Sequence, residues 1–256
     1  MIKRFLCAIS FLTRIPISPN LVFEAKDVGR ATLLFPLIGA VIGLTQVIGL
    51  KTFELNNIAL NSSIKAALVA ILLLVINVFL TGALHFDGLA DMADGFGGGR
   101  DKENVLRIMR DSLIGSYGAT ALILLIILKI AAIAALIEAK EAWRFLIIAP
   151  MFGRWATVPL GKFMEYARKS GGLGASVTDF VGWTELVGAT AITLILTFAL
   201  IDWKTGLICW LGVIFLTIFN ARICLKKIGG VTGDTLGANT EICEAFVLLI
   251  AVFLVK

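Results

Sequence analysis

The chain has 256 residues, of which 59% are hydrophobic and 16% charged, with a mean hydropathy of +0.95 and a formal net charge of +5. This balance excludes a water-soluble globule, which would have too little surface for so much apolar mass. The apolar residues come in bilayer-length blocks closed by charge, Gly or Asn, so the expected fold is an all-α polytopic membrane bundle.

In chain order, Met1–Pro16 lacks a small-residue cleavage site and carries Arg14 where a signal core would continue, so it is not read as a cleavable leader. Its stretch "FLCAISFLTRIP" fits an amphipathic interfacial helix. Seven spans follow: Thr32–Leu50, Ala66–Leu84, Ala119–Ile137, Trp143–Leu160, Leu186–Ile201, Gly206–Asn220 and Ile242–Val255. The fourth is irregular, with Pro150, Arg154 and Pro159, and a guanidinium inside a span must snorkel or pair. Cys7, Cys209, Cys224 and Cys243 form no CxxC pair or metal-ligand spacing and read as buried free thiols.

Lys and Arg fall unevenly on alternate connections. On one side are Lys3, Arg4, Arg14, Lys26, Arg30, Arg100, Lys102, Arg107, Arg110, Lys162, Arg168, Lys169, Arg222, Lys226 and Lys227. The other side has Lys51, Lys65, Lys140, Arg144, Lys204 and Lys256. The positive-inside rule then gives a cytoplasmic N-terminus and an external C-terminus. The net charge is therefore a topology signal, and no nucleic-acid partner is expected. The long polar connections 85–118, 161–185 and 221–241 all fall on the cytoplasmic face, where one site can draw on each of them.

The most informative stretch is "LHFDGLADMADGFGGG", Leu84–Gly99. If the helix continues through it, Asp87, Asp91 and Asp94 recur at i, i+4 and i+7 and share a face. Carboxylates so placed repel unless a cation joins them, and hard oxygen donors suit Mg²⁺ or Mn²⁺. His85, the only histidine, projects roughly opposite. The glycines from Gly95 to Gly99 are expected to stop the helix and offer backbone N–H groups to an anion. Asp101 should then cap a short helix bearing Arg107 and Arg110 on one face, with Asp111 in reach of Arg107. Carboxylates followed by arginines make up a metal–diphosphate site.

A second acidic group follows in "GGVTGDTLGANTEICEAFVLL", where a glycine loop surrounds Asp234 and Glu241 and Glu244 open the last span. An ionisable group at a membrane edge is a functional-site candidate. Two acidic groups on one face point to a site built from both halves of the chain.

Taken together, these stretches resemble the cobalamin synthase (adenosylcobinamide-GDP ribazoletransferase) family. The resemblance rests on "FLTRIP" (Phe11–Pro16), "FPLIGAVIG" (Phe35–Gly43), "LHFDGLADMADG" (Leu84–Gly95), "IMRDSLIGSYG" (Ile108–Gly118), "EYARKSGGLG" (Glu165–Gly174) and "GVTGDTLGA" (Gly230–Ala238), with Glu244 beyond. They run in order over nearly the whole chain, with a departure at Glu165, where the family often has proline. The resemblance implies one domain over 1–256, in a bacterial or archaeal cytoplasmic membrane, with the active site from segments 85–118, 161–185 and 221–244. It implies transfer of the adenosylcobinamide phosphoryl group from adenosylcobinamide-GDP to α-ribazole or its 5′-phosphate. The products are cobalamin or its 5′-phosphate, and GMP, with Mg²⁺ as cofactor.

On this reading Asp87, Asp91, Asp94, Asp234 and Glu244 are the expected metal ligands, and Arg107, Arg110, Arg14 and Arg30 the expected phosphate contacts. Asp91 and His85 are the catalytic candidates, and the general base is left open between a motif aspartate and His85. The expected partners are the two substrates and the bilayer, and the chain is compatible with a homo-oligomer or a complex with other enzymes of the pathway. Competing readings are a CDP-alcohol phosphotransferase, a prenyltransferase and a cation transporter. The first two fit the aspartate spacings poorly, and the third expects midplane acids and repeated halves.

Overall fold

The computed structural model describes residues 1–17, 21–54, 61–168, 171–172 and 174–254. Lys169 and Lys256 of the charge pattern, Val255 of the last expected span, and Lys169, Ser170 and Leu173 of the fifth family stretch lie outside them. The architecture is all-α. Among the described residues the sole β-type pairing is an isolated parallel bridge between Tyr166 and Val231.

An amphipathic helix α1 (Ile2–Leu12) leads to a short α2 (Ala25–Ala31), which passes through a tight turn of helix into α3 (Phe35–Glu54). Then come α4 (Ser62–Thr81), α5 (Leu84–Gly98), α6 (Lys102–Ile108), α7 (Ser116–Glu138) and α8 (Ala142–Phe163). The last four are α9 (Ala175–Phe180), α10 (Trp183–Leu200), α11 (Trp203–Ile228) and α12 (Gly233–Leu254).

Six segments are long and apolar enough to cross a bilayer: Ala25–Phe53, α4, α7, α10, α11 and α12. The chain is thus a multi-pass membrane protein. The expected fourth span, α8, runs beside them for 22 residues but is less apolar. It is the central helix, packed most extensively on α3 and α12, and every residue from Phe145 to Val158 is buried. A helix enclosed by protein needs no lipid-facing stripe, so it can carry Arg154.

Three expectations about helix ends are corrected. The second span does not run on into the aspartate motif, because Gly82 and Ala83 adopt left-handed conformations (φ 64° and 59°) and α5 begins afresh at Leu84. The glycine run does not stop α5, which continues to Gly98 with Gly99 N–H still bonded to the Gly95 carbonyl. These glycines serve packing, since a Cβ on Gly95 would strike Met109, and their N–H groups are not an anion loop. Finally, α12 begins at Gly233 instead of Ile242. Thr232 and Thr235 bond reciprocally through hydroxyl and backbone at its start, which puts Asp234 in the first turn and Glu241 and Glu244 well inside the helix.

The long helices share two ends. At one, Phe163 of α8 meets Trp183 of α10 edge to face at 5.8 Å, and Lys227 of α11 reaches the Phe96 carbonyl of α5. At the other, Leu50, Lys65, Ile137 and Trp143 line a cleft between α3, α4, α7 and α8. The three long polar connections converge at the first end.

Candidate active site

A cavity of about 290 Å³ opens at that first end. It is lined by Phe11 and Leu12 of α1, Phe35 of α3, Leu84, His85 and Asp87 of α5, and Thr157 of α8. Tyr166, Arg168, Gly172, Gly174 and Val177 add a loop wall, and Gly233, Asp234, Leu236, Gly237 and Thr240 of α12 close it. The wall formed by the chain after α8 is pinned to the loop before α12. Val231 N–H donates to the Glu165 carbonyl at 2.9 Å, and Ala167 N–H to the Val231 carbonyl at 2.8 Å.

A close seam joins α5 and α12. A Cβ on Gly88 would stand 2.7 Å from the Asp234 carbonyl oxygen, so only glycine lets the two backbones meet there. That approach sets Asp87 and Asp91, one helical turn apart on α5, beside Asp234. Arg168 donates to Asp234 Oδ2 at 2.6 Å and to the Met109 carbonyl at 3.3 Å, and the Thr232 hydroxyl donates to the same Oδ2 at 3.2 Å. The half-buried Asp91 carboxyl is pushed up to about 7, first by burial and then by the negative charges of Asp87 and Asp234, with Arg168 opposing. Negative charge thus exceeds the positive charge at hand.

The other expected site residues separate. Asp94 lies on the same helix face, but its carboxylate accepts from Gly115 N–H at 2.7 Å and Gly118 N–H at 2.8 Å. It caps α7, where a carboxylate is favoured by the free N–H groups and the helix dipole. Glu244 does not join the aspartates. It is buried with Lys129, Arg154 and Glu241: Lys129 donates to Glu244 Oε2 at 2.8 Å and pairs with Glu241, and Arg154 pairs with Glu244 Oε1. His85 is buried too, with its Nδ1 3.3 Å from Arg154 Nη2.

Asp101 caps α6 as expected, accepting from Asn104 N–H at 2.9 Å. Arg107 and Arg110 are exposed at the end of α6, and Asp111 turns to accept from Leu113 N–H instead of pairing with Arg107. Arg14 is exposed and its side chain lies over Gly82 at the α4–α5 turn. Arg30 sits in a separate surface cleft with Arg4, Lys26 and Glu185. None of these four arginines lines the cavity.

Sequence reasoning missed Arg168, Tyr166 and Lys129 as members of these two groups. In the sequence Arg168 counts as a topology charge and falls within the family stretch "EYARKSGGLG" but is given no site role, although its place between an aromatic residue and a glycine pair, on the face of the acids, is a usable signal. Lys129 is a lysine in the middle of an apolar span, which itself announces a buried partner.

Known proteins are similar to this chain over nearly its whole length. A family model described as cobalamin-5-phosphate synthase matches residues 4–252. Adenosylcobinamide-GDP ribazoletransferase of Clostridium botulinum (strain Langeland) is 35% identical over 256 residues, covering 98% of this chain and 97% of that protein. The proteins of the same name from Clostridium tetani and Chlorobaculum tepidum are each 35% identical, covering 99% and 100% of this chain and 97% of theirs. No solved structure matches. With the family match running almost end to end over the helices that build the cavity, the chain belongs to the cobalamin-5-phosphate synthase family.

Proposed function

We propose that the chain is an adenosylcobinamide-GDP ribazoletransferase, which passes the cobinamide phosphoryl group to the ribose hydroxyl of α-ribazole, or of its 5′-phosphate, and releases GMP. The observation that carries this reading is the one cavity in which "FLTRIP", "LHFDG", "YAR" and "GDTLG" converge, with Asp87, Asp234 and Arg168 on its wall.

Arg168 is the cation placed to meet phosphate oxygens, because it stands in the wall and retains a buried Nε–H without a partner among the described residues. Asp87, Asp91 and Asp234 are the residues that would hold Mg²⁺. The fit rests on Asp91, whose carboxyl is held up to about 7 first by burial and then by the negative charges of Asp87 and Asp234, which a divalent cation would offset. Among the described residues no three or more His, Cys, Asp or Glu side chains stand close enough to hold a metal ion together, so the protein would supply only one or two carboxylates at once. An open set suits Mg²⁺, which commonly takes one or two carboxylates and fills its shell with water and substrate phosphate. When bound it would neutralise charge on the diphosphate as GMP leaves.

Phe11, Leu12, Phe35 and Leu84 give the cavity an apolar wall beside these polar groups. The Lys and Arg pattern supports a cytoplasmic orientation for this end, and the family resemblance supports a bacterial or archaeal cytoplasmic membrane.

The test is direct. Purified chain in detergent, given adenosylcobinamide-GDP, α-ribazole and Mg²⁺, should release GMP and form the nucleotide-bearing corrinoid, and chelation of Mg²⁺ should stop both. No GMP from a folded, monodisperse sample overturns the assignment.

A further inference from the structure

Behind the cavity lies a group of ionisable side chains that the proposed reaction does not use. Lys129 of α7, Glu241 and Glu244 of α12 and Arg154 of α8 are each at most 2% exposed, and they join two cations to two carboxylates. Arg154 is held from several sides: it pairs with Glu244, and its Nη1 lies 3.4 Å from the Pro150 carbonyl one turn back. Its other terminal nitrogen, Nη2, points at Nδ1 of His85 at 3.3 Å.

That last contact has only one workable form. A guanidinium carries N–H donors and no lone pair, so the imidazole atom facing it must be the acceptor. The proton of a neutral His85 then sits on Nε2. Among the described residues Nε2 has no hydrogen-bond partner and is not one of the sealed atoms left without one, and His85 lines the cavity.

We propose that Arg154 is a positioning residue, anchored by Glu244, which fixes His85 as an Nε2–H donor aimed at an oxygen of the substrate. His85 then cannot accept the proton of the attacking hydroxyl, because the one basic ring nitrogen is already occupied by Arg154. Arg154 thereby has a role beyond its pairing with Glu244. The same contact removes His85 from the candidates for general base. The role rests on the proposed reaction for the identity of the oxygen acceptor, and on geometry for everything else.

Because the chain has a single histidine, the test has no overlap problem. Full-length protein labelled with ¹⁵N-histidine in nanodiscs should show one ring nitrogen as an unprotonated acceptor, Nδ1, and the other protonated, Nε2. The opposite tautomer, or a ring protonated on both nitrogens at neutral pH, overturns the proposal without reference to any substrate. In Arg154→Met/Glu244→Gln, which removes one charge of each sign, the tautomers should mix. An unchanged Nε2–H signal in that variant would show that Arg154 does not set it. Should the double variant fail to fold, the spectrum of the unaltered protein still decides.

Kinetics complete the test. His85→Gln, which keeps an N–H donor, should release GMP about ten-fold faster than His85→Leu. Equal loss in the two variants overturns the donor role. An error in the proposed reaction would instead silence the unaltered protein while its ring signals stayed as expected.

Discussion

Helix α12 contributes to two groups of carboxylates, one of them shared with α5, and they are completed in opposite ways. Glu241 and Glu244 meet Lys129 and Arg154, so the charges cancel inside the protein and no partner is needed from outside. Asp87 and Asp234 stand on the cavity wall, with Asp91 one turn along α5 from Asp87 and Arg168 bonded to Asp234, and the Asp91 carboxyl is pushed up to about 7 by burial and by its negative neighbours. A closed balance marks structure; an open one marks a place for a ligand. Charge stoichiometry separates the two groups more sharply than residue type does.

The contrast can be tested from both sides. Glu244→Leu should have the largest effect, leaving Arg154 and Lys129 with one carboxylate, and breaking a buried pair costs about 3–5 kcal/mol. Thermal unfolding in detergent should show a large drop in midpoint; a midpoint within the error of the unaltered protein would mean that the group is not a structural unit. Asp91→Asn should do the reverse: GMP release falls about 10²–10³-fold, the scale seen when one charge-stabilising group is removed from a site. Its metal-free stability should be equal or higher, because a repelled charge is gone. Near-normal turnover would remove Asp91 from the site.

The pH dependence follows from the same residue. Between its ordinary value of 3.8 and about 7, Asp91 holds more proton in the folded than in the unfolded chain, so its contribution to metal-free stability declines as pH rises through that window. Saturating Mg²⁺ should flatten the decline, and the Mg²⁺ concentration for half-maximal activity should rise as pH falls below about 7. A flat titration in both experiments would break the link between Asp91 and the cation. The smallest effect is expected at Arg107, exposed on α6 and away from the cavity lining. Arg107→Ala should change KM by no more than about five-fold, the reach of a solvated charge, with kcat unchanged. A larger loss would place phosphate on α6 after all.

Much of the bundle was legible because bilayer-length apolar runs need no partner to be recognised. Asp87 and Asp91 were legible for a similar reason, as their relation is set by helical spacing alone. What failed depended on contacts across the chain. Glu244 looks like a membrane-edge ligand until Lys129, 115 residues earlier, is found beside it. A transporter is expected to carry acids away from the span ends, and Glu241 and Glu244 do lie inside α12, but their neutral pairing with Lys129 and Arg154 sets them apart from an ion pathway. The run from Gly95 to Gly99 reads as a helix breaker, yet Met109 packs so closely that glycine is required inside the helix. Asp94 shared the spacing of its neighbours, but the α7 N-terminus, invisible in the spacing, claimed both its oxygens.

The pairing of α12 with α7 and α8 also bears on how the protein is made. Lys129 and Arg154 are synthesised well before Glu241 and Glu244, so during translation two cations enter the membrane region ahead of their counterions. Until α12 docks, those helices carry charge that lipid tolerates poorly. The same docking brings Asp234 against Gly88 and completes the cavity wall. Stable insertion of the middle of the chain and the appearance of a working site are thereby tied to a single late event in biogenesis.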